Sequence, residues 1–569
     1  MKEILSLKIG GFAGQGIKSA GLLFSKFATY SGYNIYNYIE YPSLIRGGHN
    51  VMQINISEEP VTGPSIKTDF LVALNQETIS KHRSELNPDS KILFDIEEKI
   101  DTTTLPKGIK LFPIPLSNLA GEKNILSNTV ALGATTALLG GDFEIFKKLI
   151  AKEYGNSNTL YDNIKAAEIG YNYVIENFSN QKVDFLKPIK SDPKIVLNGN
   201  EAVAMGAISA GLEFAAIYPM SPISGILHFL TEHKKEYKYI YKQPEDEISA
   251  IHMAIGASFA GARSMVATSG GGFCLMTEGY GLAGMTETPV VIIEGMRGAP
   301  ATGLPTWSEQ GDLQFILNAH QGTFPKIVLA AGDSEEAFNL SRQAFNLADK
   351  YQTPVVVLID KNICDNDQST APLNLSTYTV DRGKFATEKI ENYKRYEVSE
   401  DGVSTRTVPG SGNFFIANSD EHDELGFSNE EIDNRNKQMK KRMQKLSECA
   451  KNDMPQIEIF GPKNSDLTIV SWGSNKGSIL QAIKNFNNVN YAHLTWMSPF
   501  PEKDIKNILN NAKHVIDIEC NYNGQLASLI REKTGVEIKD KFLKCDGRPF
   551  FVEEIMDKIN SVLKGAKND

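Results

Sequence analysis

Cysteine is scarce: five in 569 residues, with no two close enough for a C-x-x-C pair. Cys274, Cys364, Cys449, Cys520 and Cys545 are odd in number and widely spaced, as reduced thiols are. That spacing argues against zinc ribbons and cysteine-ligated iron–sulfur clusters within the chain. The nine histidines form no H-E-x-x-H. No apolar run approaches the ~20 residues that span a bilayer. The first residues lack a signal-peptide core and read directly as a strand. These absences predict a cytoplasmic protein with no membrane partner. Basic charge is in deficit too, 59 Lys+Arg against 69 Asp+Glu for a net −10, which argues against a general nucleic-acid binder. What remains is an ordinary globular mix, 41% hydrophobic and 22% charged, in a chain too long for one core.

Strands alternating with helices predict an α/β protein of three domains in series. Residues 1–180 open with a strand at 4–9, a Gly-rich turn and a helix from Ile17 to about Tyr30. Further strands at 51–56, 70–73 and 91–95 predict a mostly parallel sheet. Residues 178–193 read as a linker. The second domain, 195–375, has strands at 215–218, 264–268, 290–294 and 355–359. Residues 377–455 turn polar, an irregular excursion with a charged surface helix at 430–450. Within it, Glu421-His422-Asp423-Glu424 reads as an exposed acidic turn in preference to a metal site. The third domain, 465–569, has strands at 467–471 and 514–518. No short-period repeat is visible.

The turn Gly10-Gly11-Phe12-Ala13-Gly14-Gln15-Gly16-Ile17-Lys18-Ser19 joins the first strand to the first helix. Glycines at a helix N-terminus let backbone amides approach an anion, which makes Gly14 and Gly16 candidate cofactor contacts. The dinucleotide fingerprint and the P-loop each fail by one position, at Ser19 and Ile17. Tight strand–helix packing explains these glycines equally well.

Residues 197–310 carry four features in one order. A capped helix start at Asn198-Gly199-Asn200-Glu201 is followed by small residues that admit a close neighbour. The loop Tyr218-Pro219-Met220-Ser221-Pro222 has two prolines that stiffen it at the end of a strand, a usual ligand position. Glu245-Asp246-Glu247 heads a helix, where acids are favourable for dipole reasons alone. Arg297 stands in a Gly/Pro-rich loop, Gly295 to Thr306, after an apolar strand. A planar guanidinium there suits a carboxylate.

In this order the motifs resemble the 2-oxoacid:ferredoxin oxidoreductases, specifically the alpha subunit in its fused gamma–alpha form. The likeness covers essentially the whole chain. It rests on residues 11–16 and Arg46-Gly47-Gly48, then on Tyr218 to Pro222, Glu245-Asp246-Glu247 and Thr268-Ser269-Gly270. Arg297 to Thr306, Glu309 to Leu313 and the stretch 393–426 complete it. The resemblance implies a gamma-type Rossmann-like domain at 1–180, a thiamine diphosphate pyrimidine-binding domain at 195–375 and a transketolase-C-like domain at 465–569. The implied reaction is oxidative decarboxylation of a 2-oxoacid with coenzyme A, giving acyl-CoA, CO2 and reduced ferredoxin. Glu247 is the implied catalytic residue, hydrogen-bonded to the cofactor's pyrimidine N1′. Tyr218, Pro219 and Pro222 line the cofactor, and Ser221, Arg297 and Thr306 the substrate. Met220-Ser221 stands where the family usually has Ile-Thr, and Ala301 where serine is common.

The family's magnesium–diphosphate motif, Gly-Asp-Gly, is absent. Diphosphate requires a cation clamp, so the resemblance implies half an enzyme. A beta subunit would bring Mg2+, the diphosphate site and a [4Fe–4S] cluster, and ferredoxin would be the second partner. Coenzyme A contact by residues 1–180, through Lys18 and Arg46, stays open against plain sheet packing. Among substrates 2-oxoglutarate is favoured over pyruvate, branched-chain oxoacids and indolepyruvate, and the direction of reaction is open. The non-enzyme alternative is a nucleotide-binding module.

Overall fold

The structure, a computed structural model, describes residues 4–44, 47–155, 157–375 and 378–565. Arg46 lies outside the described residues. Two compact units emerge, and each is described by itself.

The first unit comprises residues 1–197 with 366–373 and 551–556. Its eight-stranded sheet runs Lys110–Ile114, Leu86–Asp95, Thr68–Ala73, Ile4–Phe12, His49–Ser57, Asn34–Glu40, Gln368–Thr370, Ile195–Leu197. The helix Ile17–Tyr30 has the bounds the apolar period predicts, burying Ile17, Leu23, Phe24 and Phe27. The sheet is not mostly parallel. The first four strands pair in parallel and the rest antiparallel. The unforeseen strand Asn34–Glu40 explains this: the loop 41–48 is too short for a crossover, so the chain must return as a hairpin. Residues 183–189 are packed down, with Leu186 buried and Tyr33 Oη donating to the carbonyls of Phe185 and Lys187 at 2.6 and 2.8 Å.

The second unit comprises 198–365, 374–550 and 557–569. A seven-stranded sheet runs Trp496–Ser498, Ile327–Ala330, Pro354–Asp360, Val290–Met296, Ser264–Thr268, Phe214–Ala216, Ile240–Lys242. All its pairings are parallel except that of Trp496–Ser498. Central strands of such a sheet are covered on both faces and read as continuous apolar runs; Val290–Met296 and Pro354–Asp360 are buried throughout. A five-stranded sheet follows, Glu458–Phe460, Val489–Leu494, Leu467–Trp472, Val515–Glu519, Asp540–Leu543. One core joins the two sheets, from Val266, Ile292 and Val356 to Val470, Trp472 and Leu494.

The polar excursion departs most from expectation. Arg406 and Arg382 from it pair with buried Asp349 at 2.8 and 2.9 Å. The charged helix, Ile432–Asn452, is no plain surface helix, because it buries Gln438, Lys441, Arg442, Lys445 and Cys449. Lys441 and Lys445 meet Glu287 at 2.8 and 2.5 Å, all three side chains fully buried. Charge periodicity cannot distinguish a solvated stripe from one that meets a buried counter-charge. The 421–424 turn is likewise not simply exposed. His422 is buried 4.0 Å from the Tyr396 ring, and Glu421 accepts from Arg442 at 2.7 and 3.0 Å. No helix among the described residues is long and apolar enough to cross a membrane.

Candidate functional site

Four loops at the carboxyl ends of the parallel strands in the second unit carry the residues singled out from sequence, the usual ligand position in such sheets. After Phe214–Ala216 comes the Tyr218–Ser224 loop. Asn200, near the start of the helix Gly199–Ser209, donates to Pro222 O at 2.9 Å. The small-residue pattern serves close approach: a Cβ on Gly295 would lie 2.4 Å from Ile223 and 3.2 Å from Pro222. Pro222 is therefore wedged against the strand Val290–Met296, while Pro219 is exposed and Tyr218 half-buried.

Glu247 opens the helix Glu247–Phe259, with Asp246 as N-cap accepting from Ser249 N at 2.8 Å. Its side chain turns inward, 3% exposed, and its Oε1 is buried without a hydrogen-bond partner. An acid that served only the helix dipole would sit in solvent. Burying a lone carboxylate oxygen costs free energy unless something binds it. The adjoining helix Gly270–Met285 begins with three glycines, each facing a different neighbour. A Cβ on Gly272 would sit 2.5 Å from Glu247 Oε1 and 2.1 Å from Thr268 Oγ1. One on Gly271 would sit 3.9 Å from Ala301 O, and one on Gly270 would sit 2.4 Å from Asp312 Oδ2. The glycines draw the Glu247 helix, the arginine loop and Asp312 onto one helix start.

Arg297 follows the strand Val290–Met296 and donates to Ser221 O at 2.8 Å. The structure thus joins the Pro-rich loop to the arginine loop. The rest of the guanidinium fork has no protein partner among the described residues. Burial pulls its pKa down, and the Asp312 charge opposes that. Its loop closes on itself through Gly298 N to Trp307 O at 3.1 Å and Leu304 N to Gly298 O at 2.8 Å. Thr306 therefore lies beside Gly298, with its Oγ1 buried and unpartnered. Ala301 holds φ +54°, a left-handed strain in a non-glycine residue.

Sequence reasoning passed over what holds this loop. Gln310 bonds in four directions, to Trp472 O, Asn475 Nδ2, and the N and O of Cys520, all within 2.9 Å. The Arg548 guanidinium stacks 3.6 Å over the Trp307 ring. These contacts join residues far apart in sequence, and no local spacing announces them. Glu294, at the end of the strand before the arginine loop, and Asp312, inside the Glu309–Leu313 motif, lie together in the interior with no role assigned from sequence.

The helices Glu247–Phe259 and Gly270–Met285 both carry exposed apolar residues. Ile248, Met253 and Leu275 are each more than two-fifths exposed. Gly256 and Gly281 have no atom within 4 Å of a Cβ position.

Gly14 and Gly16 belong to the first unit, at φ +96° and +67°, with Gly16 capping the helix Ile17–Tyr30. Gly14, Gln15, Leu74, Asp95, Glu98 and Asn128 help line a cavity there of about 260 Å³. Its acids Asp95 and Glu98 give a phosphate no electrostatic favour.

Residues 205–441 match the family model described as pyruvate flavodoxin/ferredoxin oxidoreductase, thiamine diP-bdg, and residues 6–173 match pyruvate ferredoxin/flavodoxin oxidoreductase. The chain is 33% identical to the 2-oxoacid:ferredoxin oxidoreductase subunit alpha of Saccharolobus solfataricus, over 98% of each chain. It is 26% identical to the 2-oxoglutarate oxidoreductase subunit KorA of Mycobacterium tuberculosis, over 99% of this chain and 92% of that one. A solved structure of 2-oxoglutarate:ferredoxin oxidoreductase from Magnetococcus marinus, with 2-oxoglutarate, coenzyme A and succinyl-CoA bound, superposes with TM-score 0.92 at 30% identity, covering 99% of this chain and 100% of that one.

Proposed function

The chain belongs to the family of 2-oxoacid:ferredoxin oxidoreductase alpha subunits, and from that premise we propose that it takes 2-oxoglutarate, with coenzyme A and thiamine diphosphate, to succinyl-CoA, CO2 and two electrons for ferredoxin. The observation that carries this reading is the unpartnered, buried Oε1 of Glu247 beside Gly272. That is the feature expected where a carboxyl must meet a heteroaromatic ring nitrogen and share a proton with it. The cofactor, when bound, supplies the carbon nucleophile and the electron sink for decarboxylation. Glu247 holds the proton at the ring nitrogen, and Ser221, Arg297 and Thr306 belong to the substrate. The Arg297 fork takes an oxoacid carboxylate in two parallel hydrogen bonds, which fixes its orientation. Tyr218, Pro219 and Pro222 shape the cofactor side of the same loop.

The chain works as one half of the enzyme. It has no Gly-Asp-Gly and no C-x-x-C, so a beta subunit brings Mg2+, the diphosphate contacts and the [4Fe–4S] cluster. The exposed apolar residues Ile248, Met253 and Leu275 on the helix that Glu247 opens and on its neighbour support docking of that subunit. The names of two relatives support 2-oxoglutarate as substrate. The domain assignment follows the same reading: gamma-type at 1–180, pyrimidine-binding at 195–375 and transketolase-C-like at 465–569. The test is viologen reduction by the chain co-expressed with its beta subunit, given thiamine diphosphate, coenzyme A and a panel of 2-oxoacids. Reduction that requires all three and is fastest per unit concentration with 2-oxoglutarate is the expected result. A complex without oxoacid-dependent reduction overturns the reading, and a preference for pyruvate overturns the substrate.

A further inference from the structure

Glu294 ends the run of apolar residues in the strand Val290–Met296 and is completely buried. Neither of its carboxyl oxygens meets a hydrogen-bond donor. Asp312, Asp360, Cys274 and Cys364 all act on its charge, and among the described residues it makes no ion pair within 4 Å. An ionised carboxylate so placed would carry a full desolvation cost with no compensation. Its side chain lies within hydrogen-bonding reach of Asp312, and two carboxyl groups can bond only if one keeps its proton. Burial and the neighbouring acids push the Glu294 carboxyl well above the usual range. Asp312 is the more exposed of the two and is the one that feels Arg297. Burial raises the Asp312 carboxyl too, but Arg297 and the Glu294 hydrogen bond oppose it there, whereas the neighbouring acids add to it at Glu294, so Glu294 is the better holder of the shared proton.

Asp312 lies against Gly270, whose missing side chain makes room for its carboxylate. Its charge reaches Arg297, yet the two form no ion pair within 4 Å among the described residues, and the arginine bonds Ser221 O instead. A carboxylate without a donor so near a guanidinium would turn to it and occupy the fork. We infer that Glu294 is a positioning residue for Arg297: as a neutral acid it donates a hydrogen bond to the Asp312 carboxylate, holding it off the guanidinium and leaving the fork free for the substrate carboxylate. The inference rests on the proposed oxoacid function for its effect on substrate, but not for the location of the proton.

The experiment uses the complex with its beta subunit and two variants. Glu294→Leu removes the donor, and the KM for the oxoacid rises roughly tenfold, the worth of one hydrogen bond to a charged group, while kcat changes far less. Glu294→Gln keeps a neutral donor and restores KM to within about twofold of the native value. Infrared difference spectra of the native complex against Glu294→Gln, at neutral pH and without substrate, show the carbonyl stretch of one protonated carboxylic acid. Leucine and glutamine variants with equal KM overturn the positioning role. A glutamine variant whose KM falls roughly tenfold, as loss of a negative charge near an anion site would give, overturns the neutral acid, as does an absent infrared band. The band needs no turnover, so a missing band fails this inference alone. An intact band in a complex that turns over no oxoacid fails the functional reading alone.

Discussion

Replacing Glu287 by glutamine removes the one carboxylate that, among the described residues, pairs with two fully buried lysines, Lys441 and Lys445. In the native chain both ammonium groups outweigh the effect of burial and hold the Glu287 carboxyl well below the usual carboxylate range. Glutamine keeps the volume and one acceptor but leaves two buried cations uncompensated, alongside Arg395, which donates to Glu287 O at 2.7 Å. Removing one partner of a buried pair costs about 3–5 kcal/mol, and two stranded partners place this case near the upper end. At roughly 2 cal/mol/K per residue over a unit on the order of 350 residues, that loss lowers the midpoint by about 7 °C. A chain of two units need not melt in one step, so calorimetry should resolve the transition that moves. The cause is isolated by the triple variant Glu287→Leu, Lys441→Met, Lys445→Met, which removes all three charges and recovers most of the loss. Glu287→Gln melting within about 1 °C of the native chain refutes the reasoning, and so does a triple variant no more stable than the single one.

Glu247→Gln should assemble normally with the beta subunit yet lose about two orders of magnitude or more in kcat, as for loss of acid–base participation; near-native turnover would remove Glu247 from the chemistry. Arg297→Lys keeps the charge but not the fork, so KM for the oxoacid should rise roughly tenfold with a smaller change in kcat; normal saturation would contradict a carboxylate clamp. His49 is buried against His82 at 3.0 Å, and burial with the neighbouring imidazole lowers its pKa from 6.5 to about 4. Its folded form binds the proton less readily than the unfolded chain does. Its contribution is therefore complete above pH 6.5 and is lost as pH falls towards about 4. Urea unfolding across that window should show an acid limb that His49→Gln flattens, and an unchanged limb would clear His49.

Much of the architecture was legible from local pattern. The helix Ile17–Tyr30 and the strand Ser264–Thr268 have the bounds read from periodicity, because apolar period and turn residues act over a few positions. The order of motifs from Tyr218 to Thr306 likewise located the loops of the site. Strand pairing did not follow: Gln368–Thr370 returns to the first sheet between Asn34–Glu40 and Ile195–Leu197, an adjacency no window of sequence contains.

By itself, then, the sequence determined the α/β class, the succession of sheets, and which residue types stand in the Tyr218, Glu247 and Arg297 loops. Only the tertiary structure decided which charges are buried and what they meet. Lys441 and Lys445 look like a solvated stripe until Glu287 is found beneath them, and Glu294 looks like a strand end until it is found facing Asp312 and Asp360. The physical reason is that hydrophobic period and turn preference are short-range, whereas a side chain's desolvation and charge partner depend on residues brought in from distant parts of the chain.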